Sequence, residues 1–307
     1  MRAITKTVII TGAGSGIGFA VADAFVRAGS HVVLNGRHED KLVRAAAQIG
    51  HPERLAIVAG DVTRPETANH LITAAVQRFG RVDVLVNNAG IFHTKPFTEY
   101  TVEELDRFLG YLRGTFVLSQ AAVRHMRQQG DGGAIVNIGT ILALNGVNGL
   151  PSSAPIAAKG GIMALTKNLS VELATENIRI NAVAPGVVPT PLYGELNDEQ
   201  LEALHGMQPL GRYGTPQNIA NAVLYLANAT WVTGVILPVD GGVDTGGDGM
   251  YHGTKQAAVG AATCMTEETQ ASPALESGRD RRRLTWCGAG MTLWPISRKA
   301  NPSKETS

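Results

Sequence analysis

Short, continuously apolar runs alternate with longer amphipathic stretches along the first 243 residues of the chain. The short runs are rich in Val and Ile, which is typical of parallel strands that are buried on both faces. They predict a strand opening at Thr7 and further strands at 31–35, 55–59, 82–86, 134–138, 178–184 and 235–239. The stretches between them predict helices at 19–28, 39–49, 65–79, 101–129 and 154–175, and a last helix opening at Thr215-Pro216.

This alternation predicts an α/β fold with a doubly wound, parallel, seven-stranded sheet of Rossmann type and helices on both faces. The pattern stops after residue 243, and from Asp244 onward Gly, Thr, Ala and Glu follow one another without any period. A basic run and a Ser, Pro and Lys ending complete the chain. We therefore predict a single domain over 1–243 and an appended, poorly ordered tail over 244–307.

The first strand leads into a glycine-rich turn and then into an apolar helix. Four glycines at alternate positions, Gly12, Gly14, Gly16 and Gly18, form this turn. Glycine lets the backbone approach a ligand closely, and a helix N-terminus offers unpaired N–H groups and a positive dipole end. The turn therefore predicts a pyrophosphate site, although the usual G-x-G-x-x-G spacing is absent and a purely steric turn is the alternative.

The residues that follow the second and third strands are candidates for nucleotide recognition, because ligands of doubly wound sheets bind beyond the carboxyl ends of the strands. The second strand ends in Asn35-Gly36-Arg37, without an acid that would accept a hydrogen bond from a ribose 2′-hydroxyl. Arg37 supplies a cation suited to a 2′-phosphate, which favours NADP(H) and leaves NAD(H) open. A solvated Arg37 is the alternative. Asp61 is a candidate acceptor for the adenine amino group, or else a helix cap.

Composition and charge narrow the function classes. The chain has 307 residues, 44% of them hydrophobic, and a net charge of +1, so no electrostatic bias toward nucleic acid is present. The two cysteines, Cys264 and Cys287, lack the spacing of a disulfide framework or of a metal site. No apolar stretch is long enough to span a membrane and no signal peptide is evident, so we expect a cytoplasmic protein without a metal.

Motifs spread over residues 4–243 resemble those of the short-chain dehydrogenase/reductase family, in family order and with family-like spacing. They are Thr11-Gly12-x-x-x-Gly16-Ile17-Gly18, Asp61-Val62, Asn87-Asn88-Ala89-Gly90, Ile135-Val136-Asn137-Ile138, Lys159-Gly160-Gly161, 181–186 and 238–242. The resemblance implies an oxidoreductase that transfers hydride between a nicotinamide cofactor and a small-molecule carbonyl or secondary alcohol. It also implies a homodimer or homotetramer formed through the helices at 101–129 and 154–175.

The resemblance assigns the cofactor contacts to residues at the ends of several strands. They are Gly12, Ser15, Gly16, Ile17, Gly18, Arg37, Asp61, Val62, Asn88, Ala89, Gly90, Lys159, Pro185, Gly186, Val188 and Thr190. Within this set, Val188 and Thr190 would hold the nicotinamide carboxamide.

The chain departs from the family at the catalytic centre. The family uses a Tyr as proton donor, a Lys one helical turn later that lowers the pKa of the Tyr, a Ser that orients the substrate oxygen and an Asn in a proton relay. Lys159 matches, the Ser position falls on Thr140, and the Asn position falls on Tyr111. Pro155 stands four residues before Lys159, as if a Tyr had been replaced by Pro155 or deleted between Pro155 and Ile156. Proline has no titratable group and cannot transfer a proton.

Three interpretations remain open. The first is a working NADP(H)-dependent oxidoreductase with a repositioned acid, for which Tyr111 and Tyr193 are the candidates, although Tyr111 would otherwise pack in a helix interface. The second is a dinucleotide-binding protein that has lost turnover and acts by binding or dimerising. The third is a variant or misread gene product, which would also account for the tail.

The segment 187–207 is predicted to cover the substrate.

Overall fold

Seven parallel strands form a single sheet in the computed structural model, which describes residues 5–146, 150–191 and 208–244. The strands are β1 (Thr7–Thr11), β2 (His31–Gly36), β3 (Leu55–Ala59), β4 (Val84–Asn87), β5 (Gly133–Ile138), β6 (Ile178–Pro185) and β7 (Ile236–Val239). Their order across the sheet is β3-β2-β1-β4-β5-β6-β7. The winding reverses between β1 and β4, so a crevice opens at the carboxyl ends of these two strands. This arrangement confirms the predicted doubly wound sheet.

The described residues also form six longer helices. They are α1 (Gly16–Arg27), α2 (Glu39–Ile49), α3 (Pro65–Phe79), α4 (Val102–Gln129), α5 (Ser153–Glu172) and α6 (Pro216–Asn228). Side chains alternate between the two faces of the sheet along each strand. Val8 and Ile10 of β1 therefore pack with α1 and α6, whereas Ile9 packs with α3 and α4. Both faces of the sheet are covered, as the continuous apolar runs predict.

Two helix starts follow directly from their sequences. The Thr101 hydroxyl accepts a hydrogen bond from the backbone N of Glu104 at 3.2 Å, and the Glu104 carboxylate accepts one from the backbone N of Thr101 at 2.9 Å. This reciprocal capping box opens α4. At α6, Thr215 caps the helix through the backbone N of Asn218, and Pro216 occupies the first turn.

Several element boundaries differ from the predictions, among them the end of α5, which lies at Glu172 instead of residue 175. Helix α1 begins at Gly16, one turn before the predicted Phe19, because the glycines of the turn form its first turn. Strand β4 begins at Val84 instead of residue 82. Strand β7 begins at Ile236, since the backbone N of Val235 donates to the Asn181 side chain at 3.0 Å.

Several predictions fall outside the described residues. They concern the tail over 245–307, Tyr193, and the part of the substrate-covering segment over 192–207. The division of the chain at residue 243 stays a prediction. Within the described ranges, no helix combines the length and the hydropathy needed to cross a bilayer.

Candidate functional site

Two positions at the junction of β1 and α1 accept only glycine. Gly12 has a φ of +66°, and a Cβ added there would lie 2.8 Å from Nδ2 of Asn88. A Cβ added to Gly18 would collide with the carbonyl oxygen of Gly12. The start of α1 therefore packs directly against the end of β1, and the backbone of the turn is left exposed toward the crevice.

The first turn of α1 presents unpaired backbone N–H groups at this crevice. Ser15 is the N-cap residue and its side chain makes no capping hydrogen bond, so its hydroxyl remains free for another partner. The first turn contains no acidic residue. Free amides and the positive end of the helix dipole both favour an anion at this position.

Thr11 and Asn88 fasten the glycine turn to the segment that follows β4. The Asn88 side-chain amide donates to the carbonyl oxygens of Thr11 at 2.9 Å and of Gly12 at 3.3 Å. In return, the Thr11 hydroxyl accepts hydrogen bonds from the backbone N of Asn88 and of Ala89, both at 3.0 Å. Residues 87–90 therefore form one wall of the crevice.

A cleft of about 230 Å³ runs along the carboxyl ends of β1 to β4. It brings together most of the cofactor residues predicted from the sequence. Its lining consists of Gly12, Gly14, Ser15, Gly16, Ile17, Asn35, Gly36, Arg37, His38, Lys41, Leu42, Gly60, Asp61, Val62, Asn88, Ala89, Gly90, Tyr111, Thr190 and Pro191. Shape and backbone amides at one end, and side-chain charge at the other, make this cleft suited to a dinucleotide.

The remaining predicted cofactor residues support the cleft from behind or lie beyond it. Gly18 packs under Gly12, as described above. Pro185 ends β6 and is buried, and Gly186 lies so close to β7 that an added Cβ would be 2.6 Å from the Cα of Asp240. Val188 is buried. Thr190, which does line the cleft, lies over the glycine turn, since a Cβ on Gly16 would lie 3.2 Å from the Thr190 Cβ.

Two cationic or titratable side chains that the sequence analysis did not single out line the same end of the cleft as Arg37. His38 is the N-cap residue of α2, and Lys41 follows within its first turn. Lys41 lies against the glycine turn, because a Cβ on Gly14 would be 3.3 Å from the Lys41 Cβ. The sequence pattern of 39–49 predicts the helix but does not show which of its side chains face the cleft, because that depends on how α2 packs against the glycine turn.

Asn35 and Asp61 shape the end of the cleft next to β3. The fully buried Asn35 amide donates to the carbonyl oxygens of Val58 at 3.0 Å and of Gly60 at 3.1 Å. The Asp61 carboxylate accepts from the backbone N of Thr63 at 2.9 Å, while the N-cap residue of α3 is Arg64. Asp61 therefore stabilises the turn before α3 and faces the cleft without capping the helix itself.

Lys159 lies on α5 and approaches the wall formed by residues 87–90 at Gly90. Its Nζ donates to the carbonyl oxygen of Ile138 at 2.6 Å, and a Cβ on Gly90 would lie 3.3 Å from the same Nζ. Burial lowers the pKa of Lys159 to about 8, and no charged group contributes to this shift. An ammonium with a weakened hold on its proton is thus placed beside the lining of the cleft.

Pro155 occupies the first turn of α5, one turn before Lys159, and is buried. The helical hydrogen bonds of α5 begin after it, with the backbone N of Ile156 donating to the carbonyl oxygen of Ser152 at 3.0 Å. Because the first backbone N–H groups of a helix have no intrahelical acceptor, the missing N–H of proline costs no helical bond here. The helix therefore forms normally although the position holds no phenol.

The other predicted catalytic residues lie apart, and Thr140, which follows β5, is not among the residues that line the cleft. The Thr140 hydroxyl accepts from the backbone N of Leu142 at 3.3 Å, a bond that does not use the hydroxyl proton. Tyr111 is on α4 and lines the cleft. Burial raises the pKa of Tyr111, and the nearby charges of Arg37 and Asp61 modify that shift in opposite directions. The phenol is therefore influenced by the end of the cleft that carries Arg37.

A buried polar network lies beneath the cleft between β4 and β5. The Asn87 side-chain amide donates to the Asn137 side chain at 2.8 Å and to the Ser119 hydroxyl at 3.1 Å. Asn137 in turn donates to the Thr166 hydroxyl at 2.9 Å. These bonds connect both strands to α4 and α5, so they hold the walls that carry Tyr111 and Lys159 in register.

Comparison with known protein families gives a match over most of the domain. Residues 12–244 match the family model adh_short_C2, which is described as enoyl-(acyl carrier protein) reductase. The match covers the glycine turn, every strand after β1 and all of the described helices. It begins directly after β1.

Curated relatives align over nearly their whole lengths. The chain is 36% identical to the 3-oxoacyl-(acyl-carrier-protein) reductase FabG of Thermotoga maritima, covering 79% of this chain and 99% of the relative. It is 39% identical to the 3alpha-hydroxysteroid dehydrogenase of Mediterraneibacter gnavus, covering 77% and 96%. It is 36% identical to the L-rhamnose 1-dehydrogenase (NAD(P)(+)) of a Sphingomonas species, covering 78% and 96%.

Solved structures show the same architecture. A short-chain type dehydrogenase/reductase from Mycobacterium marinum superposes with a TM-score of 0.74 at 33% identity, covering 78% of this chain and 95% of that one. A 3-ketoacyl-(acyl-carrier-protein) reductase from Brucella melitensis, solved in complex with NADH, superposes with a TM-score of 0.73 at 33% identity, covering 78% and 98%.

Proposed function

The chain belongs to the short-chain dehydrogenase/reductase family, and from this we propose that it binds NADP(H) and supports at most slow hydride transfer. The partner molecule would be a small carbonyl compound or secondary alcohol. The observation that carries the proposal is an intact dinucleotide cleft combined with a proline one helical turn before Lys159. Binding is distributed over many residues, whereas proton transfer depends on one donor.

The residues of the cleft fit a dinucleotide. The cofactor's pyrophosphate would accept hydrogen bonds from the free amides of the first turn of α1, at the glycines that leave no room for a Cβ. Asp61 and Val62 would border the adenine. Val188 and Thr190 would lie at the carboxamide, and Lys159 at the ribose next to the nicotinamide.

The preference for a 2′-phosphate follows from charge at the end of β2. Arg37 and Lys41 would both face that phosphate, with His38 beside them. The first turn of α2 also carries two acids, Glu39 and Asp40, and the pairing of Asp40 with Arg44 at 2.7 Å reduces the repulsion of an anion by Asp40. No acid replaces Arg37 at the position where a ribose 2′-hydroxyl would be bound. We therefore propose NADP(H) as the preferred cofactor over NAD(H).

The chemistry that the bound nicotinamide supplies is the donation or acceptance of a hydride. The residues of this chain would orient the substrate and handle its proton. The Thr140 hydroxyl would donate to the substrate oxygen, and the Lys159 ammonium would add a positive charge nearby. A general acid contributes roughly 10²–10⁴-fold to such a reaction, so the loss of the family's Tyr predicts residual turnover smaller by about that factor.

A second function is supported by Pro155 itself. If no other group replaces the phenol, the protein would bind the dinucleotide and act by binding or self-association instead of turnover. Large apolar side chains remain exposed on α4 and α5, namely Leu109, Phe116 and Val171, and these would support a homodimer or homotetramer. Light scattering coupled to gel filtration measures that state directly.

One experiment separates the enzyme from the binding protein. NADPH and NADH are titrated into the protein by fluorescence, and single-turnover assays follow on a panel chosen from the relatives' names. A 3-oxoacyl thioester and a 3-oxosteroid are assayed for reduction with NADPH, and an aldose is assayed for oxidation with NADP+. NADPH binding with slow conversion of the cofactor supports the enzyme. Binding with no conversion of the cofactor on any substrate supports the binding protein. Failure of both dinucleotides to bind would refute both functions and favour a variant gene product.

A further inference from the structure

We propose that Lys159 itself delivers the proton to the substrate oxygen, in the role that the missing phenol would hold. The proposal rests on the proposed hydride transfer and names the group that makes residual turnover chemically feasible. It requires a proton-bearing group beside the lining of the cleft, an anchoring bond that leaves some of its protons free, and no better placed acid among the described residues.

The position of Lys159 meets the first two requirements. Its Nζ lies beside Gly90, at the end of the wall that lines the cleft, and is anchored on the carbonyl oxygen of Ile138 at 2.6 Å. Ile138 lies two residues before Thr140, the residue expected to orient the substrate oxygen. An ammonium carries three N–H donors, and the bond to Ile138 uses one of them. Two protons remain for other acceptors.

The acid strength of the ammonium suits a proton donor near neutral pH. Burial alone lowers the pKa of Lys159 to about 8, from an ordinary value of 10.5. At pH 7 the group is therefore largely protonated, yet it gives up its proton far more readily than an exposed lysine does. General acids act best when their pKa lies close to the working pH.

Tyr111 is the competing donor, and it fits the role less well. Burial raises the pKa of its phenol above the ordinary value of 10, which makes it a weaker acid. The charges that act on it include Arg37 and Asp61, at the end of the cleft assigned to the adenosine, and Lys159 is not among them. Two cations, Arg37 and Arg107, lower the pKa of Tyr111, but burial outweighs them, and the Lys159 charge that would activate the family's Tyr has no effect on this phenol.

The proton-transfer step balances without a further co-reactant. In the reducing direction, the carbonyl carbon receives a hydride from the reduced nicotinamide dinucleotide, which is oxidised. The carbonyl oxygen receives a proton as an N–H bond of the Lys159 ammonium breaks and an O–H bond forms. Lys159 is left as a neutral amine and regains a proton from water. In the oxidising direction the neutral amine accepts the alcohol proton.

The pH dependence follows from the same assignment. Reduction requires the ammonium, so the residual rate should be constant below about pH 8 and fall roughly tenfold per pH unit above it. The recorded neighbours of Nζ are the carbonyl oxygen of Ile138 on β5, at 2.6 Å, and Gly90, where an added Cβ would lie 3.3 Å away; neither residue titrates. No charged side chain contributes to the Lys159 shift, so a single ionisation is expected.

The first test needs no cofactor and no turnover. The whole protein is labelled with trace acetic anhydride between pH 6 and 11, with Nα-acetyl-lysine in the same tube as an internal standard, and Lys159 acetylation is quantified by mass spectrometry. We expect the Lys159 reactivity to reach half its maximum near pH 8, against about 10.4 for the standard. A Lys159 midpoint at that of the standard would overturn the proposal.

The second test separates proton donation from a merely cationic role. Lys159→Arg keeps a positive charge but cannot release a proton in this pH range. We expect its residual reduction rate to fall at least ~10²-fold, while its NADPH dissociation constant, measured by fluorescence, changes less than the rate does. Lys167→Arg, an exposed lysine on the same helix, is the matched control and should leave both quantities unchanged.

The outcomes of this second test keep the proposal and the proposed function apart. Retained turnover in Lys159→Arg would refute proton donation by Lys159 even though the enzyme works. NADPH binding by the wild-type protein with no turnover at any pH would refute it as well. Failure of the wild-type protein to bind NADPH would instead refute the proposed function. The pH midpoint of Lys159 acetylation would then still test the lowered pKa of Lys159. A rate that falls on Tyr111→Phe substitution would transfer the role to that phenol.

Discussion

Replacing Pro155 with tyrosine should restore fast turnover, because the substitution places a phenol one helical turn before Lys159. Pro155 lies in the first turn of α5, where the backbone N–H of the new residue needs no helical acceptor. The ammonium of Lys159 would lower the pKa of that phenol, as an adjacent cation does. A restored general acid is worth roughly 10²–10⁴-fold, so we expect a single-turnover rate of NADPH oxidation higher by at least ~10²-fold.

The stability cost of this substitution can be bounded from the burial of the site. Pro155 is buried, so the larger tyrosine ring has to displace the atoms packed around it. Overpacking of this kind typically costs ~1–3 kcal/mol in the free energy of unfolding. Loss of the proline's restriction of the unfolded chain costs a further ~0.4–1 kcal/mol. Urea unfolding measures the sum and shows whether the variant remains folded in the assay.

Pro155→Phe is the matched control, because it adds nearly the same bulk without a hydroxyl. We expect it to unfold at a similar urea concentration and to show no gain in rate. A rate for Pro155→Tyr no higher than that for Pro155→Phe would refute the assignment of the defect to this position. Insertion of a Tyr between Pro155 and Ile156 gives the same spacing to Lys159 but rotates the preceding residues by about 100° around the helix. It therefore tests whether a deletion, rather than a replacement, describes the chain.

Three further predictions concern binding and stability. Arg37→Ala should weaken NADPH binding by ~10-fold or more through the loss of a charge-assisted hydrogen bond, with NADH titrated in parallel; equal losses for both would argue against 2′-phosphate recognition. Gly18→Ala should abolish NADPH binding in the same titration, because the added Cβ meets the Gly12 carbonyl oxygen, whereas Gly160→Ala, which meets nothing within 4 Å, should not. Between about pH 8 and 10.5 the unfolded chain binds more protons at Lys159 than the folded protein does, so its contribution to the free energy of unfolding should rise with pH. Urea unfolding of Lys159→Met should show a flatter dependence over that window, and an unchanged slope would contradict the lowered pKa.

The order of elements could be predicted because the five inner strands of the sheet are buried on both faces. Strands such as Val8-Ile9-Ile10 leave no polar side to confuse with a helix, and the glycine turn marks where strand becomes helix. The start of α1 was placed one turn too late, since glycine has poor intrinsic helix propensity and here adopts the helix only because the turn must pack on β1. That boundary depends on a tertiary contact, which a local sequence pattern cannot predict.

The lining of the cleft was predictable in part for a related reason. Residues directly after strands share one edge of the sheet, so Arg37, Asp61 and Asn88 could be assigned together. His38 and Lys41 were missed because they reach the cleft from a helix, whose side chains point in several directions. Which of them faces the ligand depends on how α2 packs against the glycine turn, and that packing is visible only in three dimensions.

The reciprocal bonds between Thr11 and Asn88 have a consequence for how the protein would report ligand occupancy. The Thr11 side chain binds the backbone after β4, and the Asn88 side chain binds the backbone at the end of β1. Neither segment can therefore open alone without breaking hydrogen bonds to the other. A nucleotide that touched only the β1 end would therefore slow amide hydrogen exchange at residues 88 and 89 as well. The hydrogen-exchange rates of these two amides would therefore report cofactor binding without the need for a known substrate.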